Sequence, residues 1–192
     1  MALGVYPGSF NPPTVAHLAI AGAAWRRFDL ERVDLAVSRV ALGKESVERP
    51  AFSDRLAVLE ATAAARPWLG LVVVDAQLLV DVAQGYDVVV MGADKWAQVF
   101  DPAWYGGSEV ARDKAVARLP KVAVAPRPGF PLPAGEALGG EVLEIADHHG
   151  GVSSSLVRAG DRQWMVPEAA EFDERTGAWT DPVRYDRWRA TT

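Results

Sequence analysis

The chain has 192 residues and a formal net charge of −5; 49% of its residues are hydrophobic and 23% are charged. These values are ordinary for a soluble globular protein, and the length suits one domain, or one domain with an appendage. The absence of cysteine excludes disulfides and thiolate metal sites. The acidic balance argues against a nucleic-acid partner, whereas a small anionic ligand needs only a local cluster of positive charge.

Neither a signal peptide nor a membrane span is predicted. The N-terminus lacks a basic segment followed by an apolar one. The most apolar stretch, residues 69–83, is interrupted by Asp75 and Asp81 and does not fit a span. We therefore expect a cytoplasmic protein with no membrane partner. Its oligomeric state cannot be read from the sequence.

The first predicted unit is a strand over residues 3–6, a turn, and a helix over residues 15–28. A turn that opens a helix is a candidate anion site, because backbone N–H groups point outward there and the helix dipole favours negative charge. Gly8 would let a phosphate approach the backbone. Thr14 fits an N-cap, and His17 follows one turn later on the same face. Glycine turns before helices also occur where no ligand binds.

Strands alternate with helices along the rest of the chain. Continuous apolar runs predict buried strands, and serines before helical patterns predict N-caps at Ser53 and Ser108. Further strands are predicted over residues 33–37, 69–74, 87–91, 121–125 and 142–145. Helices are predicted over residues 54–66 and 77–83, from Ser108 to about Leu119, and from about residue 152. The alternation predicts an α/β fold with a doubly wound, mainly parallel sheet and right-handed crossovers.

The loops with the most distinctive residues all follow predicted strands. They span residues 7–14, 39–50, 92–95 and 126–129. The carboxyl ends of parallel strands share one edge of a sheet, and ligands bind there, near the point where strand order reverses. We therefore expect these loops to meet at one site.

The C-terminal segment differs from the rest. We divide the chain into a domain over residues 1–172 and a tail over residues 173–192. The Gly177 turn between short segments is compatible with a hairpin, and the last residues with a helical turn. Tyr185 and Trp188 would pack on the domain or on a partner.

Six pieces of the sequence, in order, resemble the nucleotidyltransferase superfamily with a Rossmann-like adenylyltransferase topology. Within it they are most similar to the bacterial nicotinate-nucleotide adenylyltransferases. The opening motif and the Ser-Ser-Ser-x-x-Arg segment are the most specific, and the resemblance spans roughly residues 3–172. The pieces are Gly8-Ser9-Phe10-Asn11-Pro12 with Thr14-Val15-Ala16-His17, Lys44 with Arg55-Leu56-Ala57-Val58-Leu59, Gly92-Ala93-Asp94, Arg127-Pro128-Gly129, Val152-Ser153-Ser154-Ser155-Leu156-Val157-Arg158, and Trp164-Met165-Val166-Pro167-Glu168.

The resemblance implies an enzyme that transfers the adenylyl group of ATP to a phosphate-bearing acceptor and releases pyrophosphate, as in NAD biosynthesis. The acceptor it implies is nicotinate or nicotinamide mononucleotide, and Mg²⁺ would arrive with ATP. The implied catalytic residues are His17, Thr14, Lys44 and Arg158. ATP would be bound by Gly8, Ser9, Phe10, Asn11, Thr14, His17, Gly92, Asp94, Ser153, Ser154, Ser155 and Arg158. The acceptor would be bound by Lys44, Arg55, Trp104 and Arg127.

Three departures from the family pattern leave alternatives open. Thr14 stands where the usual motif has His, Ala16 stands where it has Gly, and residues 75–81 lack the hydroxyl-rich loop that holds a pyridine ring. The alternatives are transfer to another acceptor such as pantetheine phosphate, cytidylyl transfer, or nucleotide binding without turnover. The first strand is not followed by Gly-x-Gly-x-x-Gly, which argues against a dehydrogenase. We expect no protein metal site, because no carboxylate spacing supports His148 and His149.

Overall fold

The computed structural model describes residues 1–39, 49–76, 78–130, 132 and 140–192. Within these residues every paired strand of the sheet is parallel, and the order is β3-β2-β1-β4-β5-β6. The strands are β1 (Leu3–Pro7), β2 (Arg32–Ser38), β3 (Leu69–Val74), β4 (Val88–Gly92), β5 (Lys121–Ala125) and β6 (Gly140–Val142). The chain winds outward from β1 to β3 and then restarts beside β1, so strand order reverses between β1 and β4. The predicted doubly wound parallel sheet is confirmed.

Helices cover both faces of the sheet. The helices are α1 (Val15–Arg27), α2 (Phe52–Ala64), α3 (Leu79–Val82), α4 (Ala93–Val99), α5 (Glu109–Val116), α6 (Asp147–Gly150), α7 (Ser154–Arg158), α8 (Pro167–Thr176) and α9 (Pro182–Arg189). Short 3-10 helices span Pro102–Tyr105 and Arg162–Trp164. One buried cluster joins α1 and α2 to the sheet through Ile20, Leu59 and Leu35, and another joins α4 through Trp96 and Met91. Within the described residues, no helix has both the length and the apolar character needed to cross a membrane.

Several predicted boundaries are wrong for identifiable reasons. Residues 143–145 lie outside β6, although the buried Leu143 still donates its N–H to the Val124 carbonyl at 2.8 Å. Leu143 and Ile145 are apolar because they pack on the core. Ser53 lies inside α2 and does not cap it; the N-cap position is Ala51, which offers no side-chain bond. Gln77, the predicted start of α3, lies outside the described residues.

The hairpin predicted after residue 172 is wrong. Residues 173–176 continue α8, and Gly177 ends that helix with a left-handed φ of 76°, a conformation that glycine adopts without steric cost. A helix, α9, follows. A third buried cluster holds this segment against α2 and α7 through Trp179, Tyr185, Val58 and Val157. The division of the chain at residue 172 stays a prediction.

Candidate active site

The first turn of α1 fixes the orientation of its histidine. Thr14 is a fully buried N-cap, and its Oγ1 accepts the His17 N–H at 3.4 Å. In return, the Thr14 backbone N–H donates to His17 Nδ1 at 3.0 Å. A ring nitrogen that accepts a hydrogen bond carries no proton, so the neutral imidazole of His17 holds its proton on Nε2. The edge-to-face contact with the Phe10 ring, at 5.1 Å between centroids, also restrains the imidazole.

The turn before α1 is built around a buried aromatic ring. Phe10 adopts a φ of 42°, which is uncommon for a residue with a side chain, and its ring is buried in the core. A Cβ on Gly8 would lie 2.7 Å from Phe10 Cζ. The Gly8 N–H donates to the Ala36 carbonyl at 3.0 Å. The Cβ direction at Gly8 is thus taken by Phe10 and its N–H by β2, so packing already requires a glycine here.

The Ser-Ser-Ser-x-x-Arg segment meets this turn directly. Ser153 caps α7 by accepting the Leu156 N–H at 3.2 Å. The Ser154 hydroxyl donates to the Pro12 carbonyl at 2.7 Å. The exposed Arg158 donates to the Asn11 carbonyl, and its other terminal nitrogen donates to Ser155 Oγ at 3.2 Å. Two motifs more than 140 residues apart in sequence therefore form one structural unit.

The unit combines groups that suit a polyphosphate. The N-terminus of the 13-residue α1 favours negative charge. Arg158 supplies a permanent cation beside it, and His17 supplies a neutral N–H donor. These groups lie at the carboxyl edge of β1, beside the reversal of strand order, where ligands bind in sheets of this kind.

A second predicted pair lies where β4 and β5 end. Asp94, in the first turn of α4, is 3.5 Å from the Arg127 guanidinium. A Cβ on Gly92 would collide with the Asp94 carboxylate, so glycine lets this side chain lie against the backbone. Burial raises the pKa of Tyr6; Arg127 opposes the shift and Asp94 adds to it, which places this hydroxyl in their shared field. The ends of β1, β4 and β5 therefore meet, as predicted.

Arg55 approaches the opening turn from α2. It is only 9% exposed, its Nη1 donates to the Ser9 carbonyl at 3.5 Å, and its guanidinium lies 5.4 Å from the Phe52 ring centroid. Among the described residues its Nε has no hydrogen-bond partner. Burial lowers the pKa of Arg55, yet an arginine stays charged in proteins. A buried guanidinium with an unpaired N–H is a candidate contact for an anionic substrate.

Among the predicted site residues that the structure describes, Trp104 is not joined to this unit. Lys44 lies outside the described residues. Trp104 lies on the 3-10 helix that packs against α5, 37% exposed, and no hydrogen bond or ring contact of the described residues joins it to the opening turn. In the described parts of the chain, no group of three or more His, Asp or Glu side chains is arranged to hold a metal ion.

One contact at the turn was missed by the sequence analysis. Trp179 Nε1 donates to Asn11 Oδ1 at 2.6 Å, and both side chains are buried. The two residues are 168 positions apart. No local pattern marks such a pair, and only a likeness covering the C-terminal segment could have pointed to it.

Comparisons with known proteins agree with this geometry. The model of the cytidylyltransferase-like family matches residues 5–160. A probable nicotinate-nucleotide adenylyltransferase from Salinibacter ruber is 37% identical over 67 residues, which cover 35% of this chain. The match spans about a third (34%) of that relative.

A solved structure shares the fold over nearly the whole chain. It is the Plasmodium falciparum nicotinic acid mononucleotide adenylyltransferase complexed with NaAD, with a TM-score of 0.65. The alignment covers 91% of this chain and 95% of that one, at 13% sequence identity. At that identity the likeness establishes the fold alone.

Proposed function

This chain belongs to the cytidylyltransferase-like family, and on that premise we propose that it transfers the adenylyl group of ATP to a phosphate-bearing acceptor. The acceptor we propose is nicotinate or nicotinamide mononucleotide; the name of the Salinibacter relative gives nicotinate nucleotide. The products are a dinucleotide and pyrophosphate. The observation that carries the proposal is the direct bonding of the α7 segment to the opening turn, through Ser154 to Pro12 and Arg158 to Asn11.

The reaction needs no nucleophile from the protein. A phosphate oxygen of the acceptor attacks the α-phosphorus of ATP, and the bond to the β-phosphate oxygen breaks as pyrophosphate leaves. Catalysis then consists of positioning the two substrates and stabilising the charge that develops on the phosphoryl oxygens. This chemistry suits a site made of hydrogen-bond donors and cations.

The arrangement of the unit supports the phosphate contacts that we propose. His17 donates its Nε2 proton to a non-bridging oxygen of the α-phosphate, since Nδ1 is already an acceptor. Thr14 and the turn residues Gly8, Ser9, Phe10 and Asn11 shape the floor under the triphosphate. Arg158, with Ser153, Ser154 and Ser155 around it, faces the β- and γ-phosphates and the departing pyrophosphate. Mg²⁺ enters with ATP, held mainly by phosphate oxygens and water. We propose that Lys44 adds positive charge.

The other strand ends are proposed to hold the rest of the substrates. Asp94 accepts a hydrogen bond from a ribose hydroxyl of ATP, with Gly92 leaving room beside it. Arg55 and Arg127 contact the anionic acceptor, and Arg55 has the buried N–H to do so. Trp104 remains part of the proposed acceptor site only if the 3-10 helix moves toward it.

A second candidate function is cytidylyl or adenylyl transfer to another acceptor such as pantetheine phosphate. Two observations favour it. The family that the chain matches is described as cytidylyltransferase-like. The segment around Asp75 and Asp81 carries no hydroxyl side chain that could hold a pyridine ring.

Pyrophosphate release tests these proposals together. The protein is incubated with Mg-ATP or Mg-CTP and, in turn, nicotinate mononucleotide, nicotinamide mononucleotide and pantetheine phosphate. We expect release with ATP and a pyridine mononucleotide. Release only with CTP or with pantetheine phosphate would support the second candidate. Binding of ATP without release in any mixture would identify a nucleotide-binding protein without turnover and contradict the proposal.

A further inference from the structure

Asn11 connects three parts of the molecule at the opening turn. Its side-chain carbonyl accepts the Trp179 indole N–H at 2.6 Å, and its backbone carbonyl accepts from Arg158. Its amide nitrogen lies 3.5 Å from the Arg49 carbonyl. Asn11 is only 6% exposed, so each of these groups needs a protein partner. A shift of Asn11 would therefore move the carbonyl on which Arg158 rests.

Trp179 is held rigidly enough to control Asn11. The fully buried Asp173 carboxylate accepts the Trp179 N–H at 2.8 Å and the Thr180 N–H at 3.1 Å. The same carboxylate accepts the Thr180 hydroxyl at 2.7 Å and pairs with Arg162 at 2.9 Å. These bonds fix the turn after α8, and the Phe172 ring lies 5.9 Å from the indole. The indole N–H is therefore aimed at Asn11 by a built framework.

Packing accounts for the burial of the Trp179 ring, and a buried indole N–H needs an acceptor, which here is Asn11 Oδ1 of the opening turn. Phenylalanine would pack in an apolar pocket as well, whereas the indole adds a donor that meets the buried Asn11 oxygen. Without that donor, the buried Asn11 Oδ1 would lack its hydrogen bond, and the Asn11 side chain and its turn would be less firmly held. The turn leads into Thr14, which orients His17, and it carries the carbonyl that binds Arg158. A shift of the turn would therefore displace both proposed phosphate-binding side chains, His17 and Arg158.

We propose that Trp179 is a positioning residue for the nucleotidyl-transfer reaction: its indole N–H holds Asn11, and Asn11 in turn sets Arg158 against the opening turn. This inference rests on the proposed function. It gives the segment after residue 172 a part in catalysis without any contact with substrate. Residues 173–192 then support the site through Asn11, although they do not line it.

The test compares Trp179→Phe with Trp188→Phe. Trp188 lies on α9 in the same segment and packs on Phe172 and Tyr185, with no hydrogen bond to the opening turn among the described residues. Activity is measured as pyrophosphate release, well below the melting temperature of each variant. We expect Trp179→Phe to lower kcat about tenfold with KM for ATP changed less than about threefold, because orientation in the transition state is lost. Trp188→Phe should keep kcat within about twofold of the parent.

Coupling to Asn11 separates positioning from general damage. In an Asn11→Leu background the bond is already absent, so adding Trp179→Phe should lower kcat no further. Should Trp179→Phe fail to fold, benzothienylalanine at position 179 keeps the bicyclic ring, removes the N–H, and gives the same expected loss. An unchanged kcat in the folded variant, or an equal loss in both backgrounds, overturns the inference. An inactive parent protein overturns the proposed function, and the inference with it.

Discussion

Thr14 and His17 form a reciprocal pair at the start of α1, and this pair decides which proton the imidazole can offer. Thr14 occupies the position where the related motif carries a histidine. In this chain its backbone N–H and its hydroxyl both engage His17 Nδ1, the hydroxyl at 2.8 Å. Threonine cannot carry charge, so the permanent positive charge seen beside the turn is that of Arg158. With Nδ1 engaged as an acceptor, Nε2 is the nitrogen of the neutral His17 ring that carries the proton.

Replacing His17 with alanine tests that role. The variant loses one donor to the charge that develops on the α-phosphate, and removal of one such donor typically lowers kcat about 10²–10³-fold. We expect a loss of that size in pyrophosphate release. His148→Ala is the matched control, because His148 is an exposed histidine on α6 with a ring contact to Trp164. A His17→Ala rate equal to that of the control would remove His17 from the mechanism.

Gly8 is constrained by its packing against Phe10. A methyl group at this position would press on the buried Phe10 ring. Overpacking of this kind costs about 1–3 kcal/mol, so Gly8→Ala should lower the free energy of unfolding by that amount in urea titrations. Gly151→Ala is the control, since a Cβ there meets nothing within 4 Å and its φ of −87° suits any residue. Equal stability of the two variants would contradict the packing argument.

At the scale of elements, continuous apolar runs are the most reliable signal in this chain. Residues 69–74 form β3 with the predicted bounds, although β3 is an edge strand of the sheet in which only Leu69 is fully buried. The same rule wrongly predicted a strand over residues 142–145, whereas β6 ends at Val142. Leu143 and Ile145 pack on the core beyond the end of β6. Their burial requires apolar side chains, and this produces the same apolar sequence pattern as a buried strand.

The Tyr185 hydroxyl anchors α9 to α2, with Arg189 3.5 Å from the same Asp54 carboxylate. Tyr185 accepts the Ala51 N–H at 2.8 Å and donates to Asp54, while Arg49 and Asp186 form a two-bond ion pair beside it at 2.8 and 2.6 Å. Burial and then the bond to Asp54 raise the pKa of Tyr185 from 10.0 to about 12. Between pH 10 and about 12, the folded protein therefore keeps the Tyr185 hydroxyl proton, whereas the unfolded chain releases it.

Stability at alkaline pH tests the anchor. With the folded pKa raised, the contribution of Tyr185 is complete below pH 10 and is lost as pH rises toward 12. Tyr185→Phe should be less stable than the parent by about 1–3 kcal/mol at pH 8, since it leaves the partly buried Ala51 N–H and Asp54 carboxylate without this partner. That gap should narrow between pH 10 and 11. A gap that stays constant with pH would show that this hydroxyl titrates normally.

At the scale of the whole molecule, the sequence predicts the sheet and the edge where the strands meet, but not what closes the site. The opening turn and the α7 segment could be paired because both carry dense local motifs. The Trp179–Asn11 bond joins positions 168 apart, and neither residue differs in its local pattern from ordinary core positions. Such contacts depend on burial and tertiary hydrogen bonding, and neither produces a periodic pattern that can be recognised in the sequence.

The fold gives little information about the identity of the acceptor. Sheets of this order place their ligands at the reversal of strand order whatever the second substrate is. In the roles that we propose, Arg55 and Arg127 contact the anionic group of the acceptor, which acceptors of both candidate functions carry. Discrimination between a pyridine ring and another group depends on side chains outside the phosphate site, which the opening turn does not include.

Label transfer from ATP tests the central claim most directly. ATP labelled at the α-phosphate is incubated with Mg²⁺, nicotinate mononucleotide and the protein, and the products are separated by chromatography. Adenylyl transfer predicts that the α-label moves into a dinucleotide, in amounts equal to the pyrophosphate formed. In a parallel reaction, label at the γ-phosphate should appear only in pyrophosphate. Release of labelled ADP, or no transfer with any pyridine mononucleotide at saturating ATP, would contradict the account.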